Sequence, residues 1–245
     1  MPTVNRRGRF CIRDVLYNAE VVKRLQYVAR ERIAVYVDGF NLYHAIDNLD
    51  KPHLKWLNIC KLAQLLIKPK TQTLTAIRYF SALGNHFSGT NKVHRLVRHR
   101  EYIKALQAKG VDVHLGNFAK RDMHYGDGNG RYRAKWRRYE EKQTDVGIAV
   151  HLINDAHKNV FDRALIVSLD TDMLPAFRIM QTEFPAIPIV CVAPPNRAHH
   201  REIQNLGIEV ANIKESQLEK ALLGARVIAN GRCVAKRPSA YRPPA

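Results

Sequence analysis

The chain has 245 residues, 46% of them hydrophobic, which is enough to bury the core of one large domain. Forty Lys and Arg residues against twenty-two Asp and Glu give a formal net charge of +18, which predicts a polyanionic partner, with nucleic acid favoured over an anionic membrane. A basic surface that serves only solubility is the alternative. No apolar stretch approaches the roughly 20 residues that cross a bilayer, so we expect a soluble protein.

The four cysteines are widely spaced and form no paired metal-binding motif. They stand at positions Cys11, Cys60, Cys191 and Cys233. This spacing predicts reduced thiols rather than disulfides or a zinc site, and it favours a cytoplasmic protein. The Arg-rich N-terminus lacks the apolar core of a secretory signal, so we expect no export.

Three segments follow from the distribution of apolar residues. Residues 1–31 are predicted to be an N-terminal extension, with a short helix over residues 14–30. The main pattern covers residues 32–215 and predicts a single domain. Residues 216–245 read as a C-terminal helix and a basic, Pro-rich tail, whose residues 237–244 are predicted to be disordered.

Two apolar runs predict buried strands that each end in carboxylates. Residues 33–37 lead into Asp38, and residues 163–169 lead into Asp170 and Asp172. In open α/β sheets the carboxyl ends of the strands are where active sites lie. The two runs therefore predict one shared acidic site.

The rest of the main pattern alternates strands with helices. Further strands are predicted at about 74–80, 111–115, 187–192 and 208–213, and helices at about 56–67, at 91–109, from 145, from 175, at 197–204 and from 216. This alternation predicts a parallel sheet covered by helices on both faces. If the strand order is 3-2-1-4-5, the first and fourth strands are neighbours, and Asp38 lies beside Asp170 and Asp172.

Residues 116–140 interrupt this alternation and are predicted to form a long loop. Glycines alternate there with basic and aromatic residues, and the candidates for RNA contact are Arg131, Arg133, Lys135, Trp136, Arg137 and Arg138. Basic groups neutralise phosphates while aromatic faces stack unpaired bases, so the composition suits single-stranded or looped RNA. An ordinary solvated insertion is the alternative. Arg95 and Arg98, on the basic helix, are further candidates for phosphate contacts.

Several carboxylates at one sheet edge favour a particular chemistry. Their mutual repulsion is relieved by a cation, and oxygen ligands select hard ions such as Mg²⁺ or Mn²⁺. Such an ion can polarise a phosphodiester and activate water for in-line attack. Asp145, at a predicted helix N-terminus facing the same edge, is a natural fourth acid, and Asn41 could orient substrate or water.

Each of these residues also has a purely structural explanation. Asp170 and Asp172 could cap the following helix, Asp38 could end a strand in an ordinary turn, and Asp145 could serve the helix dipole. The turn around Asp170 and Asp172 also has the form of a haloacid-dehalogenase-like phosphatase site, in which the first acid is a nucleophile. That alternative leaves Asp38 without a role.

Three segments together resemble the NYN (LabA-like) branch of the PIN-like nuclease superfamily. They are Val37-Asp38-Gly39-Phe40-Asn41, Glu141-Lys142-Gln143-Thr144-Asp145-Val146 and Ser168-Leu169-Asp170-Thr171-Asp172-Met173. The resemblance covers about residues 32–215 and implies a three-layer α/β/α, Rossmann-like PIN fold with a central, mostly parallel sheet and metal-dependent ribonuclease activity. By this match the acidic positions are Asp38, Asp145, Asp170 and Asp172, and Asn41 is the asparagine of the first motif.

One departure and two neighbours of the motifs affect this match. Leu169 stands where many relatives have glycine, which narrows the approach to Asp170 without removing a ligand. Lys142 is a candidate for a phosphate contact, with an ordinary surface lysine as the alternative. Glu141 is expected to be solvated, as one member of an acidic pair.

We therefore expect a ribonuclease that uses Mg²⁺ or Mn²⁺, with RNA as its partner. In this hypothesis Asp38, Asp145, Asp170 and Asp172 hold metal, Asn41 positions water or phosphate, and residues 116–142 contact the RNA. The main rival is a non-catalytic RNA-binding or regulatory module of the same fold.

Overall fold

The computed structural model describes residues 30–126 and 132–244. The predictions made for residues 1–29 and for Arg131 lie outside these ranges. Between residues 132 and 138 only the backbone is described. The predicted RNA contacts whose side chains therefore also lie outside the described part are those of Arg133, Lys135, Trp136, Arg137 and Arg138.

Strands and helices alternate along most of the described chain. The strands are β1 (Glu31–Asp38), β2 (Gln72–Ala82), β3 (Asp112–Gly126), β4 (Tyr132–Lys142), β5 (Arg163–Val167), β6 (Ile189–Ala193), β7 (Glu209–Asn212), β8 (Arg226–Ala229) and β9 (Arg232–Lys236). The α-helices are α1 (Gly39–Asp47), α2 (Ile59–Leu66), α3 (Val93–Gln107), α4 (Thr144–His157), α5 (Leu174–Glu183), α6 (Arg201–Asn205) and α7 (Glu215–Lys220).

Seven of these strands form one sheet in the order β4-β3-β2-β1-β5-β6-β7. All neighbours pair in parallel except β3 and β4, which are antiparallel. The predicted neighbourhood of the first and fourth strands of the alternating pattern is confirmed, because β1 pairs with β5 from Ile33↔Arg163 to Val37↔Val167. Asp38 and the turn after β5 therefore lie at the same edge of the sheet.

Strand β1 is buried on both faces, which is why its sequence is an unbroken apolar run. Ile33, Val35 and Val37 pack in a core shared with α1, α2, α3 and α7. Ala34 and Tyr36 point the other way, into a core shared with α4, α5 and α6. Burying one such large side chain contributes about 1.5–3 kcal/mol, so the two helix layers hold the strand in place. The predicted three-layer α/β/α fold is confirmed.

The predicted loop over residues 116–140 is wrong: β3 and β4 form a long antiparallel hairpin. The two strands pair from Asn117↔Lys142 to Gly126↔Tyr132. Gly116 is required where the hairpin leaves the parallel sheet, because a Cβ there would lie 2.4 Å from the carbonyl oxygen of Lys142. Composition alone suggested a loop, because the antiparallel pairing of Asn117 with Lys142 and of the residues between them is not visible in the local sequence.

The C-terminal segment packs on the domain and is not a disordered tail. Strands β8 and β9 form a hairpin whose Val227 and Ala235 are buried against Trp56. The indole Nε1 of Trp56 donates a hydrogen bond to the carbonyl of Gly224 at 2.9 Å. A short 3₁₀ turn, Ser239–Tyr241, follows this hairpin. The predicted disorder of residues 237–244 is therefore wrong, because it was inferred from the proline-rich composition of the segment alone.

Three of the cysteines, Cys60, Cys191 and Cys233, are free thiols in this structure. Burial raises the pKa of the Cys191 thiol to about 11, so this group is a small apolar core residue and not a nucleophile. No helix within residues 30–126 and 132–244 is both long and apolar enough to span a bilayer.

Candidate active site

The site begins where β1 and β5 end side by side. Asp38 is the last residue of β1 and only 4% exposed, and its Oδ1 accepts a hydrogen bond from the backbone N–H of Asn41 at 2.9 Å, which caps α1. Its Oδ2 accepts a hydrogen bond from the hydroxyl of Ser168 at 3.0 Å. Burial raises the pKa of Asp38, and the nearby charge of Asp170 adds to the rise.

Ser168 connects the two acidic strand ends. Its hydroxyl donates to Asp38 and accepts the backbone N–H of Asp170 at 3.1 Å. The Oδ1 of Asp170 accepts the backbone N–H of Asp172 at 2.9 Å, so Asp170 caps the 3₁₀ turn Thr171–Met173. The capping role that the sequence offered as an alternative is thus met only in part: Asp170 caps this 3₁₀ turn, whereas helix α5 has Met173 as its N-cap and no side-chain cap hydrogen bond. The second carboxylate oxygen of Asp170 takes no part in this cap.

A third acidic element enters from the junction between β4 and α4. Asp145 lies in the first turn of α4, and its pKa is raised to about 6 by burial and by the charges of Asp170, Asp38 and Asp172. Burial and the charge of Asp145 raise the pKa of Glu141 to about 7. These shifts report carboxylates close enough to repel one another.

Glu141 is a site residue that sequence analysis placed wrongly in solvent. Its side chain is half-buried, and its Oε1 accepts the backbone N–H of Thr144 at 3.2 Å, which satisfies the start of α4. Gln143 precedes the helix with a φ of +81°, a left-handed turn that folds Glu141 back towards Asp145. The only sequence signal was its position four residues before Asp145.

These acidic side chains line one cleft of about 540 Å³ at the edge of the sheet. Its acidic walls are Asp38, Glu141, Asp145 and Asp170, joined by Asn41 and Thr171. Arg197, Ala198 and His200 contribute to the lining from the turn after β6. We define this space as the acidic cleft. Three segments that are distant in sequence converge on it because parallel strands bring their carboxyl ends to one edge.

Two predicted residues lie outside the walls of the acidic cleft. Asp172 is exposed to solvent on the 3₁₀ turn. Its charge makes the smallest of the contributions that raise the pKa of Asp145. Lys142 is exposed at the end of β4, with its Nζ 3.3 Å from a carboxylate oxygen of Glu140. Neither residue contributes to the cleft lining.

The cleft offers oxygen donors, although no preformed metal cage is present in the described ranges. Within residues 30–126 and 132–244, no three His, Cys, Asp or Glu side chains form a group that could hold a metal ion as they stand. Mg²⁺ usually keeps several of its waters and binds proteins through only one or two carboxylates. One or two carboxylates from the set Asp38, Asp145 and Asp170 would suffice for that mode of binding.

A second cavity of about 300 Å³ lies next to the acidic cleft. Phe40 and His44, one turn apart on α1, line both spaces. The predicted RNA contacts Arg95 and Arg98 line this second space and not the acidic cleft. Sequence analysis missed it because its walls come from helices, strands and the C-terminal segment together. We define it as the aromatic cavity.

Comparison with known proteins gives a consistent family and fold. The NYN domain family matches residues 32–213 of the chain. The chain is similar to 6-hydroxy-3-succinoylpyridine 3-monooxygenase HspA of Pseudomonas putida (strain DSM 28022 / S16), with 24% identity over an alignment that covers 87% of this chain and 76% of the relative. A solved structure, of a protein of unknown function from Vibrio parahaemolyticus RIMD 2210633, superposes with a TM-score of 0.50 at 17% identity, covering 81% of this chain and 99% of that one. That likeness concerns the fold alone.

Proposed function

The chain belongs to the NYN domain family of the PIN-like superfamily, generally a family of nucleases, and on that premise we propose that it is a Mg²⁺- or Mn²⁺-dependent ribonuclease. The observation that carries the proposal is the convergence of Asp38, Asp145 and Asp170 on one cleft. The net charge of +18 supports a polyanionic substrate, because counterion release favours basic proteins on nucleic acid.

The cation is supported by the electrostatics of the cleft. Burial and repulsion from the neighbouring carboxylates raise the pKa of Asp145 to about 6 and that of Glu141 to about 7, so the cleft opposes their ionisation. A divalent cation would remove that repulsion, and when bound it would polarise a phosphodiester and activate water for in-line attack. Asp38, Asp145 and Asp170 are the residues that would hold it.

The other residues of the cleft have distinct roles in this proposal. Ser168 positions Asp38 and Asp170 relative to each other through its two hydrogen bonds. Arg197 and His200 line the same cleft; the guanidinium of Arg197 offers a cationic contact for the phosphate, and the ring of His200 offers a hydrogen bond. Asn41, also in the lining, is placed to orient a phosphate oxygen or the attacking water through its amide. In the reaction, the water oxygen bonds to phosphorus while the bond to the ribose oxygen breaks, and that oxygen takes up a proton.

The test is cleavage of labelled single-stranded and structured RNAs with Mg²⁺, with Mn²⁺ and with a chelator. The variants are Asp38→Asn and Asp170→Asn, which keep side-chain size and remove the charge that holds a cation. The matched control is Asp50→Asn, because Asp50 is exposed, lies outside the cleft, and has a φ of +52° that asparagine tolerates. We expect metal-dependent cutting by the wild type and the control, and none by the two cleft variants.

Two results would contradict this proposal. Equal cutting by the wild type and Asp38→Asn would exclude the acidic cleft as the catalytic site. RNA binding by every variant without cutting in any metal would instead identify a non-catalytic RNA-binding module of the same fold. Binding measured between 50 and 200 mM salt separates specific from purely electrostatic contact.

A second candidate function is turnover of a small heteroaromatic acid. The observations that favour it are the aromatic cavity and the similarity to a curated protein named as a monooxygenase of a succinoylpyridine. The test is incubation with 6-hydroxy-3-succinoylpyridine, dioxygen and a reduced nicotinamide, with product identified by mass spectrometry. If the protein converts 6-hydroxy-3-succinoylpyridine in this incubation and cuts none of the RNAs, this second function replaces the ribonuclease proposal.

A further inference from the structure

The aromatic cavity has walls of a kind that differs from those of the acidic cleft. Rings from four separate parts of the chain surround it: Phe40 from α1, Phe118 from β3, His86 from the 3₁₀ turn Asn85–Phe87, and Tyr241 from the C-terminal segment. The described residues that line it include no Asp or Glu. The long-range fold, and not any local motif, therefore assembles an apolar, acid-free pocket beside an acidic one.

The rings form an ordered wall. His86 stacks on Tyr139 with ring centroids 4.1 Å apart and an angle of 7° between the planes. The ring of His86 meets Phe118 edge to face at 4.8 Å, and Phe118 meets Phe40 edge to face at 5.8 Å. Such a continuous run of rings presents both faces and edges to a planar guest, which is how proteins hold aromatic ligands and unpaired bases.

The cations at the cavity all come from two helical segments. Arg95 and Arg98 lie three residues apart on α3 and so share one face of that helix. The guanidinium carbon of Arg98 lies 5.6 Å from the centroid of the Tyr241 ring, while its Nε is buried without a hydrogen-bond partner among the described residues. Lys55 is already paired with Asp47. Arg95 and Arg98 are therefore the cationic side chains in the described lining that can bind an anion.

The polar base of the cavity is neutral. His99 is half-buried, and burial lowers its pKa to about 4. Its Nε2 lies 3.2 Å from the hydroxyl of Ser81, so the pair offers hydrogen bonds without charge. The buried Nδ1 of His86 likewise has no hydrogen-bond partner within the described ranges. Neutral donors and acceptors of this kind can read the edge of a heterocycle.

We propose that the aromatic cavity binds a planar heteroaromatic ring carrying an anionic group, with the ring against Phe40 and Phe118 and the anion at Arg95 and Arg98. A volume of about 300 Å³ accommodates one small ring system, at the lower end of the usual range for ligand sites. Two sources share this chemistry, a nucleotide of RNA and a free heteroaromatic acid. The nucleotide source rests on the proposed function, because Phe40 is two residues from Asp38 and a base in the cavity would anchor RNA beside the acidic cleft.

The test measures binding in chelator, where no metal-dependent cutting takes place. Full-length protein is titrated calorimetrically with the four nucleoside 5′-monophosphates and separately with pyridine-3-carboxylate. The variants are Phe118→Leu and Arg98→Gln, with Phe184→Leu and Arg178→Gln as matched controls, since neither control residue lines the cavity. We expect both cavity variants to bind about ten-fold more weakly or worse, the order expected for loss of one aromatic stack or one charged contact. The two controls should bind like the wild type.

The outcomes separate this proposal from the ribonuclease proposal. Binding of a nucleotide that depends on Phe118 and Arg98 assigns the cavity to a base, and dependence seen only with the pyridine acid assigns it to a free small molecule. Both results support the cavity even if no RNA is cut. If neither probe binds, or if the cavity variants bind like the controls, the proposal is wrong, even where RNA cleavage depends on Asp38. Circular dichroism of each variant verifies that it is folded.

Discussion

Two carboxylates are buried near strand β1, and their pKa values are shifted in opposite directions. Asp155 and Asp38 are only 1% and 4% exposed. Asp155 accepts hydrogen bonds from the hydroxyl of Tyr36 at 2.7 Å and from Nε of Arg78 at 2.6 Å. Burial alone would raise the pKa of Asp155, but these partners outweigh it and lower the pKa. At Asp38 burial prevails over the hydrogen bonds, and the pKa is raised.

The two carboxylates are both buried and lie near each other, so the opposite directions of their pKa shifts do not come from a difference in burial. Tyr36, the partner of Asp155, and Asp38 are two residues apart on β1 and belong to the same face of the strand. The charge of Asp155 is balanced by Arg78 and by the hydroxyl of Tyr36, so this carboxylate stabilises the fold. The other, Asp38, has no cationic partner among the described residues and lies beside the charge of Asp170, which favours a cation or a substrate from outside the chain. Matched substitutions at the two sites should therefore have opposite effects on stability.

The largest effect is expected for Asp155→Asn. The change leaves the guanidinium of Arg78, whose side chain is 18% exposed, without its buried counter-charge. Breaking one partner of a buried pair typically costs about 3–5 kcal/mol, and we expect a loss of that size in the free energy of unfolding, reduced where Asp112 still pairs with Arg78. Urea denaturation at pH 7 measures it. A loss below about 1 kcal/mol, the range of exposed ion pairs, would show that the two buried acids do not differ as described.

An intermediate effect is expected for Ser168→Ala, which removes the connection between Asp38 and Asp170. The backbone N–H of Asp170 loses its acceptor and Asp38 loses a donor in a buried position, so the free energy of unfolding should fall by about 1–3 kcal/mol. RNA cutting should fall further than folding stability explains, because the two carboxylates are no longer held together. Ser168→Thr, which restores the hydroxyl, should recover part of the cutting. No recovery would argue against a positioning role.

A smaller effect of opposite sign is expected for Asp145→Asn. At pH 7.5 Asp145 is ionised, so the burial and the carboxylate repulsion that raise its pKa to about 6 act in full, and the amide removes the charge on which they act. Partial exposure reduces the gain, so we expect the free energy of unfolding to rise by about 1 kcal/mol while metal-dependent cutting is lost. A stabilised but inactive variant is typical of a functional site that is built at the expense of stability. A destabilised variant would mean that Asp145 belongs to the framework, as Asp155 does.

The smallest effect is the change of that gain with pH. Because the folded-state pKa of Asp145 lies above its unfolded value, the folded protein binds more protons between the two values, and stability at this site rises as the pH falls towards 4. The difference between Asp145→Asn and the wild type should therefore shrink from about 1 kcal/mol at pH 7.5 to about three quarters of that at pH 5.5. Asp155, with its lowered pKa, loses its contribution only at more acidic pH. Urea denaturation of both proteins at the two pH values measures the difference, and a gap that widens at pH 5.5 would contradict this assignment.

Local pattern predicted the parts of the site that sit on regular strands. The apolar runs before Asp38 and Asp170 needed no knowledge of distant contacts, because a strand buried on both faces is apolar throughout. The neighbourhood of the two strand ends then followed from the rules for parallel sheets. The same reasoning failed for Glu141, because its approach to Asp145 depends on the left-handed turn at Gln143 and on where β4 ends.

What the sequence by itself determined is thus the alternation that gives a parallel sheet and the acidic segments at its strand ends, while the order 3-2-1-4-5 was a possibility that the structure bears out. What only the tertiary structure decided is the pairing of β3 with β4 and the contacts that form the aromatic cavity. The β3–β4 hairpin, the packing of Tyr241 against Arg98, and the aromatic cavity all join residues far apart in the chain. Apolar periodicity reports which face of an element is buried, but not which partner buries it, so such contacts exist only once the layers have packed.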